Sequence, residues 1–347
     1  MEKEGRIKAL LIEDSGLMRI MISDALRSDP HIQVVGTANN GKDGVAKADQ
    51  LEPDVVITDL IMPEYDGLYA VKHIMEKRPV PIILLSSLGR ESTDVFEALN
   101  AGAFDFIDKP ATKDSKAFKL ALADLNEKVK VAFGSDSSRF GKQVDKTNHN
   151  HHTFEGELQY DIIAIGASTG GPSAIESIIT QLPENLAVPV IITQHMPERF
   201  LISFAERLEA LIPLTVKVPA KGEQLSAGTI YITPGDGNVA LQRDRSGDIV
   251  FEYTEERYKE FNDPSVDCMF ISIAEHYGAK VIGIILTGMG KDGSQGMVKI
   301  KDKGGLTIAQ DAASCVVNGM PQAAVNIGAV DHVVGLKEIP GFVMSCF

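Results

Sequence analysis

The chain has 347 residues, about right for two domains at the usual ~100–200 residues each. Its 34 Lys plus Arg against 48 Asp plus Glu leave a formal net charge of −14, which excludes the basic footprint that nucleic-acid binding needs. With 44% apolar residues the chain can build real cores, and its apolar runs stay well short of the ~18–20 residues of a membrane helix, so no membrane insertion is expected.

The first 133 residues alternate short apolar runs with amphipathic stretches. IKALLIED, IQVVGTA, DVVITD, IILLSS and FDFIDK read as strands, rich in Val and Ile and closed by polar or turn residues. Segments such as GLMRIMISDALRSD and PEYDGLYAVKHIMEKRP read as helices between them, and a last helix is expected from Thr112 to Phe133. Five βα repeats of this kind predict a parallel sheet covered on both faces.

Ligands of such sheets collect at the carboxyl ends of the strands. There the first strand ends in Glu13 and Asp14, the third in Asp59, the fourth in Ser86, and the fifth leads into Lys109. Any one acid could end a strand merely by starting a turn, but five polar ends in register point to a site. Three converging carboxylates repel one another unless a cation sits between them, and a hard divalent ion such as Mg²⁺ meets that need. A nearby lysine and hydroxyl suit phosphoryl oxygens.

Through LLIEDS, DVVITDLIMPEYDG, IILLSS and FDFIDKP this half resembles the receiver domain of two-component response regulators. The resemblance implies a flavodoxin-like (βα)5 fold over residues 1–133 and phosphorylation of Asp59 by a histidine kinase. It also implies Mg²⁺ held by Glu13, Asp14, Asp59 and the backbone carbonyl of Ile61, with Ser86 and Lys109 on the phosphoryl oxygens. Phe106 takes the aromatic switch position. Glu13 stands where many receivers have Asp, which preserves the charge.

Residues 134–157, GSDSSRFGKQVDKTNHNHHTFEGE, contain three large apolar residues and read as a flexible linker. His149, His151 and His152 lie here without a Cys or carboxylate cage and read as linker composition, not a metal site. The three cysteines, Cys268, Cys315 and Cys346, have no C-x-x-C spacing, so neither a disulfide framework nor a zinc cluster is indicated. The N-terminus turns acidic after ALLI and does not form a signal-peptide core; a cytoplasmic protein is expected.

From 158 to 347 a second α/β pattern runs: strand YDIIAIG, helix GGPSAIESIITQLP, strand VPVIITQ, helix ERFLISFAERLEALI. Four short runs, LTVKVPA, GTIYITPG, NVALQRD and IVFEYT, suggest an antiparallel insertion in a mostly parallel sheet. Helix SVDCMFISIAEHYG, strand VIGIILTG, a further helix and strand LTIAQD follow.

IGASTGGPSA joins a strand to a helix and admits three readings. It could cradle a pyrophosphate, although the spacing is not G-x-G-x-x-G and the next strand ends in Gln194, not an acid. It could be a tight turn needing small residues. Or Gly166-Ala-Ser168-Thr-Gly170 could be a G-x-S-x-G elbow exposing a serine hydroxyl. A nucleophilic serine needs a base and an orienting acid. His195 follows the adjacent strand and Asp292 lies in the TGMGKDG turn after VIGIILTG, whereas His276 and His332 read as structural. The order Ser, His, Asp is not that of α/β-hydrolases.

IGASTGG, TQHMP, PSVD, LTGMGKDG and TIAQDAASCVVNGMP resemble the catalytic domain of chemotaxis protein-glutamate methylesterases, whose architecture also begins with a receiver. The resemblance implies Ser168 as nucleophile, His195 as general base and acid, and Asp292 as the orienting carboxylate. The Met289 backbone N–H would serve the oxyanion, Thr169 would line the site, and no cofactor is needed for the esterase. Methylated chemoreceptors would be substrates, with deamidation of receptor glutamines by the same site. Asn238, Asn318 and Gln322 depart from the family pattern and are expected at the substrate rim.

Overall fold

Strands buried on both faces belong between layers of helix, and the β-branched runs of the first half are placed there. The computed structural model describes residues 5–86, 92–109, 115–135, 158–255 and 263–347. The chain divides into two compact units, Met1–Gln143 and Val144–Phe347. That division falls inside the expected linker, of which 136–157, with its three histidines, lie outside the described residues.

In the first unit β1 (Ile7–Ile12), β2 (Ile32–Ala38), β3 (Val55–Asp59), β4 (Ile82–Ser86) and β5 (Asp105–Asp108) form one sheet in the order 2-1-3-4-5. All neighbours are parallel. This is the flavodoxin-like order expected, and its reversal between β1 and β3 makes a crevice at their carboxyl ends. Side-chain caps start the intervening helices: Ser15 accepts from Met18 N, Asn40 from Asp43 N and Asp66 from Tyr69 N. The last helix, Ser115–Phe133, closes the unit.

The second unit contains β6 (Ile162–Ala167), β7 (Val190–Gln194), β8 (Thr215–Lys217), β9 (Thr229–Ile232), β10 (Asn238–Arg243), β11 (Ile249–Thr254), β12 (Val281–Ile285), β13 (Leu306–Gln310) and β14 (His332–Val334). Seven of them order as 14-13-12-6-7-9-8, every neighbouring pair parallel. The antiparallel insertion is smaller than the sequence suggests. LTVKVPA and GTIYITPG supply β8 and β9 of the parallel sheet, and β10 and β11 pair antiparallel by themselves. The reason is burial: all four residues of β9 are inside, as in a central parallel strand, and periodicity cannot separate such a short run from a hairpin arm.

The β10–β11 ribbon packs on the helix Val266–Tyr277. Leu241 N donates to Ser272 Oγ at 3.0 Å, and the His276 ring nitrogen Nε2 lies 3.0 Å from the Leu241 carbonyl, the structural role expected for that histidine. Phe270 of the same helix is fully buried in a core with Ile162, Phe251, Met297 and Met320. Removing its ring leaves a cavity that the surrounding sheet and helices fill only in part. Phe270→Ala should therefore cost about 3–5 kcal/mol in denaturant unfolding; a loss under about 1 kcal/mol would mean that this helix is not part of the core.

Candidate active site

β6 is the centre of the second sheet, and the chain order reverses around it, with β7 on one side and β12 on the other. Parallel sheets bind ligands at such a reversal, outside the carboxyl ends of the strands. Ser168 is the first residue after β6, His195 the first after β7, and Asp292 lies in the turn between β12 and the helix Ser294–Asp302. Three segments far apart in sequence thus deliver their polar residues to one edge.

The His195 ring nitrogen Nε2 and Asp292 Oδ2 are 2.7 Å apart. The carboxylate is buried, with 1% of its surface exposed, and four more donors hold it. Oδ1 accepts from Ser265 Oγ at 3.1 Å, Asp267 N at 3.0 Å and Gly293 N at 3.0 Å, and Oδ2 accepts from Val266 N at 2.8 Å. Val266 and Asp267 are the first two residues of the helix Val266–Tyr277, so the carboxylate sits at a helix N-terminus, where amides and dipole favour a negative charge. Burial alone would raise the Asp292 carboxyl, but the His195 contact and these amides outweigh it and hold it below its usual value.

Asp267 mirrors that arrangement. Its Oδ1 accepts from Gly296 N at 2.8 Å in the first turn of Ser294–Asp302, the helix that follows Asp292. Two helix N-termini therefore face each other, and each is capped by a carboxylate from the start of the other. Ser265 and Asp267 belong to the PSVD motif, but their part in seating Asp292 is a tertiary fact with no local signal.

Ser168 is half-buried. Its backbone N–H donates to the Thr287 carbonyl at 3.1 Å, and the Thr287 hydroxyl bonds the Thr169 carbonyl at 3.0 Å, which ties the serine turn to the turn after β12. Gly288 is forced by this approach, since a Cβ there would lie 2.8 Å from Ser168 Cβ and would strike Met320. The next residue, Met289, is half-buried, and its N–H has no protein acceptor among the described residues. Thr169 is buried, its carbonyl bonded to the Thr287 hydroxyl.

Asn318 bridges to Gly288, and its side chain bonds Gln322 at 3.1 Å, which sets both residues beside the turn after β12. Asn238 is buried, and its Oδ1 accepts from the backbone N–H of Ser265 at 2.8 Å, the residue whose hydroxyl bonds Asp292. As the first residue of β10 it looks like a turn position in sequence, and its burial and its bond to Ser265 arise in the tertiary structure. His332 is exposed on β14, outside the cluster.

In the first unit, carboxylate oxygens of Glu13, Asp14 and Asp59 lie within 4.8 Å of one another. Lys109 Nζ reaches Asp59 at 2.6 Å and Glu13 at 2.9 Å. Burial and the Asp59 charge push the Glu13 carboxyl up despite Lys109, so one ammonium does not neutralise the group. Burial would lower the Lys109 ammonium, but its two carboxylate partners keep it raised. Ser86 is fully buried at the end of β4 and Phe106 is buried in β5, while the Ile61 side chain is half exposed.

Burial first, then the Asp292 charge, push the Asp267 carboxyl from 3.8 up to about 6 against the amides of Gly296, Gln295 and Gly293. A raised value in the folded protein means that ionisation opposes folding. The penalty is absent below 3.8, grows through the interval and is complete above about 6. Asp267→Asn does not titrate there, so the stability advantage of the parent protein over this variant should narrow as pH rises across that window and then stay flat. Thermal melts of both proteins between pH 3.5 and 8 test the sign; a gap that widens with pH would contradict it.

A family model described as CheB methylesterase matches residues 163–343, and one described as response regulator receiver domain matches residues 9–119. A protein-glutamate methylesterase/protein-glutamine glutaminase of Desulfitobacterium hafniense is 37% identical, over 98% of this chain and 97% of its own. Its namesake from Thermotoga maritima is 39% identical over 96% of each chain. The crystal structure of the Thermotoga maritima CheB methylesterase catalytic domain superposes with a TM-score of 0.52 at 39% identity, covering 54% of this chain and 99% of that one. The chain belongs to the CheB methylesterase family, with a receiver domain ahead of the methylesterase domain.

Proposed function

We propose that the protein hydrolyses glutamate methyl esters on chemoreceptors, releasing methanol, and deamidates receptor glutamines through a Ser–His–Asp mechanism under control of its receiver. The observation that carries the reading is the 2.7 Å bond between His195 Nε2 and the many-times-bonded Asp292, one strand from Ser168. An ionised carboxylate accepts from Nε2–H, so Nδ1 is the ring nitrogen that takes a proton. Ser168 Oγ attacks the ester carbonyl while Nδ1 receives its proton, and the Met289 N–H faces the oxyanion that forms. The imidazolium returns the proton to the methoxide oxygen, methanol leaves, and a water deprotonated at Nδ1 resolves the acyl-serine. An amide follows the same course with ammonia leaving. These groups complete both half-reactions, and the reading invokes no cofactor in this domain.

In the receiver, Asp59 would accept the phosphoryl group from the chemotaxis histidine kinase. Three clustered carboxylates against one lysine fit a divalent cation, and Glu13, Asp14, Asp59 and the Ile61 carbonyl would hold Mg²⁺. When bound, the ion supplies positive charge beside the incoming phosphoryl oxygens. Lys109 and Ser86 would hold those oxygens, and Phe106 would report their arrival. The unphosphorylated receiver would obstruct access to Ser168, and the added charge of about −1.5 to −2 would shift that equilibrium. Substrate and phosphodonor of this kind suit a cytoplasmic enzyme, and among the described residues no helix is long and apolar enough to cross a membrane.

Methanol release from methylated receptor membranes tests the chemistry. Ser168→Ala should lose several orders of magnitude, leaving roughly 10³–10⁴ over water, and Asp292→Asn should lose about 10⁴ by favouring the wrong tautomer. Near-normal turnover by Ser168→Ala would eliminate the serine route. Control is tested separately. Deletion of residues 1–150 should raise basal turnover, and Asp59→Asn should keep basal turnover while losing stimulation by a phosphodonor. A fragment slower than the unphosphorylated full chain would show that the receiver assists catalysis and does not occlude the site.

A further inference from the structure

Gln194 ends β7 with 1% of its surface exposed, between the two residues on which the proposed chemistry turns. Its single amide nitrogen donates to the Ser168 carbonyl at 3.0 Å and to the His195 carbonyl at 3.0 Å. A primary amide has two N–H bonds, and here each goes to the main chain of one member of the nucleophile–base pair. Its Oε1 is buried with no hydrogen-bond partner among the described residues. An orphaned acceptor costs on the order of 1–3 kcal/mol, which a methionine or leucine of similar size would avoid. Packing alone therefore does not account for this residue.

The neighbouring helix is shaped around it. Gly171 opens Gly171–Ile179, and a Cβ there would run into Gln194 Oε1 and stand 2.8 Å from Ala167 Cβ. Two further bonds complete the frame, Ser168 N to the Thr287 carbonyl and His195 N to the Ala167 carbonyl, both at 3.1 Å. With these made, the peptide groups on both sides of Ser168 are fixed, and the serine χ1 torsion is the main freedom left. Asn is one methylene too short to span the two carbonyls, and Glu or Met of equal length has no N–H to give.

We propose that Gln194 is a positioning residue that locks the main chain of Ser168 to that of His195 and so sets the distance from hydroxyl to imidazole. The inference rests on the serine mechanism proposed above. Gln194 touches neither substrate nor the reacting atoms, and its effect belongs in kcat: a displacement of about 1 Å between reacting groups can cost on the order of 100-fold.

The test uses the full-length protein and the variants Gln194→Met, Gln194→Glu and Ser168→Ala. Three quantities are read: kcat and KM for methanol release from methylated receptor membranes, the rate of Ser168 labelling by a fluorophosphonate, and the melting temperature. Gln194→Met should lower kcat by about 10- to 100-fold with KM within about threefold, and slow Ser168 labelling in parallel, while its melting temperature stays within a few degrees of the parent. Gln194→Glu places a carboxylate against two carbonyl oxygens and should be at least as impaired; if it fails to fold, Gln194→Met carries the test alone. Parental kcat and labelling in folded Gln194→Met, with Ser168→Ala inactive, would overturn the role of Gln194 and leave the serine mechanism standing. Turnover by Ser168→Ala at the parental rate would overturn both.

Discussion

A buried carboxylate is tolerable only where donors surround it, and the second domain is organised around one such group. Asp292 is bonded by three backbone amides, a serine hydroxyl and the His195 ring, all within 3.1 Å. Satisfying it requires the helices Val266–Tyr277 and Ser294–Asp302, which flank β12 in the chain, to start at the same place. In return the carboxylate fixes the imidazole in one orientation. Unpaired, the same charge would be strongly destabilising, so the ring contact and the fold of this edge depend on each other. Asp267 repeats the device in reverse, and burial first, then the Asp292 charge, raises its carboxyl.

The receiver solves the same problem with different materials. Glu13 and Asp59 are also buried at the reversal of a parallel sheet, and there a lysine side chain meets them both. Lys109 supplies one positive charge for the two, and the Glu13 carboxyl remains raised. A site left short of positive charge attracts a cation. A site saturated with fixed amides, like that of Asp292, is suited to holding one geometry through many turnovers.

The polar residues of both sites are legible in the sequence because strand ends carry them. A strand end is visible there as an apolar run stopped by Glu13, Asp59, Ser168 or His195. Short strands are harder. The runs LTVKVPA and GTIYITPG resemble NVALQRD and IVFEYT in length, and partner choice depends on burial that the sequence does not display. Asn238 escapes a sequence reading for the same reason, since its burial and its bond to Ser265 exist only in the folded chain. Gln194 is legible only as the absence of a ribose-binding acid, since its two bonds join residues brought together by the sheet. The choice between Nε2 and Nδ1 of His195 lies beyond sequence altogether, because a ring orientation is set by contacts across 97 positions.

That ring orientation is the most exposed point of the whole scheme. Nitrogen-15 NMR of histidine-labelled protein reads it directly, with His195→Gln to assign the signal. In the neutral ring the Nε2 resonance should be of the protonated type, with a strongly deshielded proton that disappears in Asp292→Ala, and Nδ1 should be of the unprotonated type. A proton resident on Nδ1, or a ring signal indifferent to the loss of Asp292, would contradict the proposed role of Nδ1 as the base for Ser168.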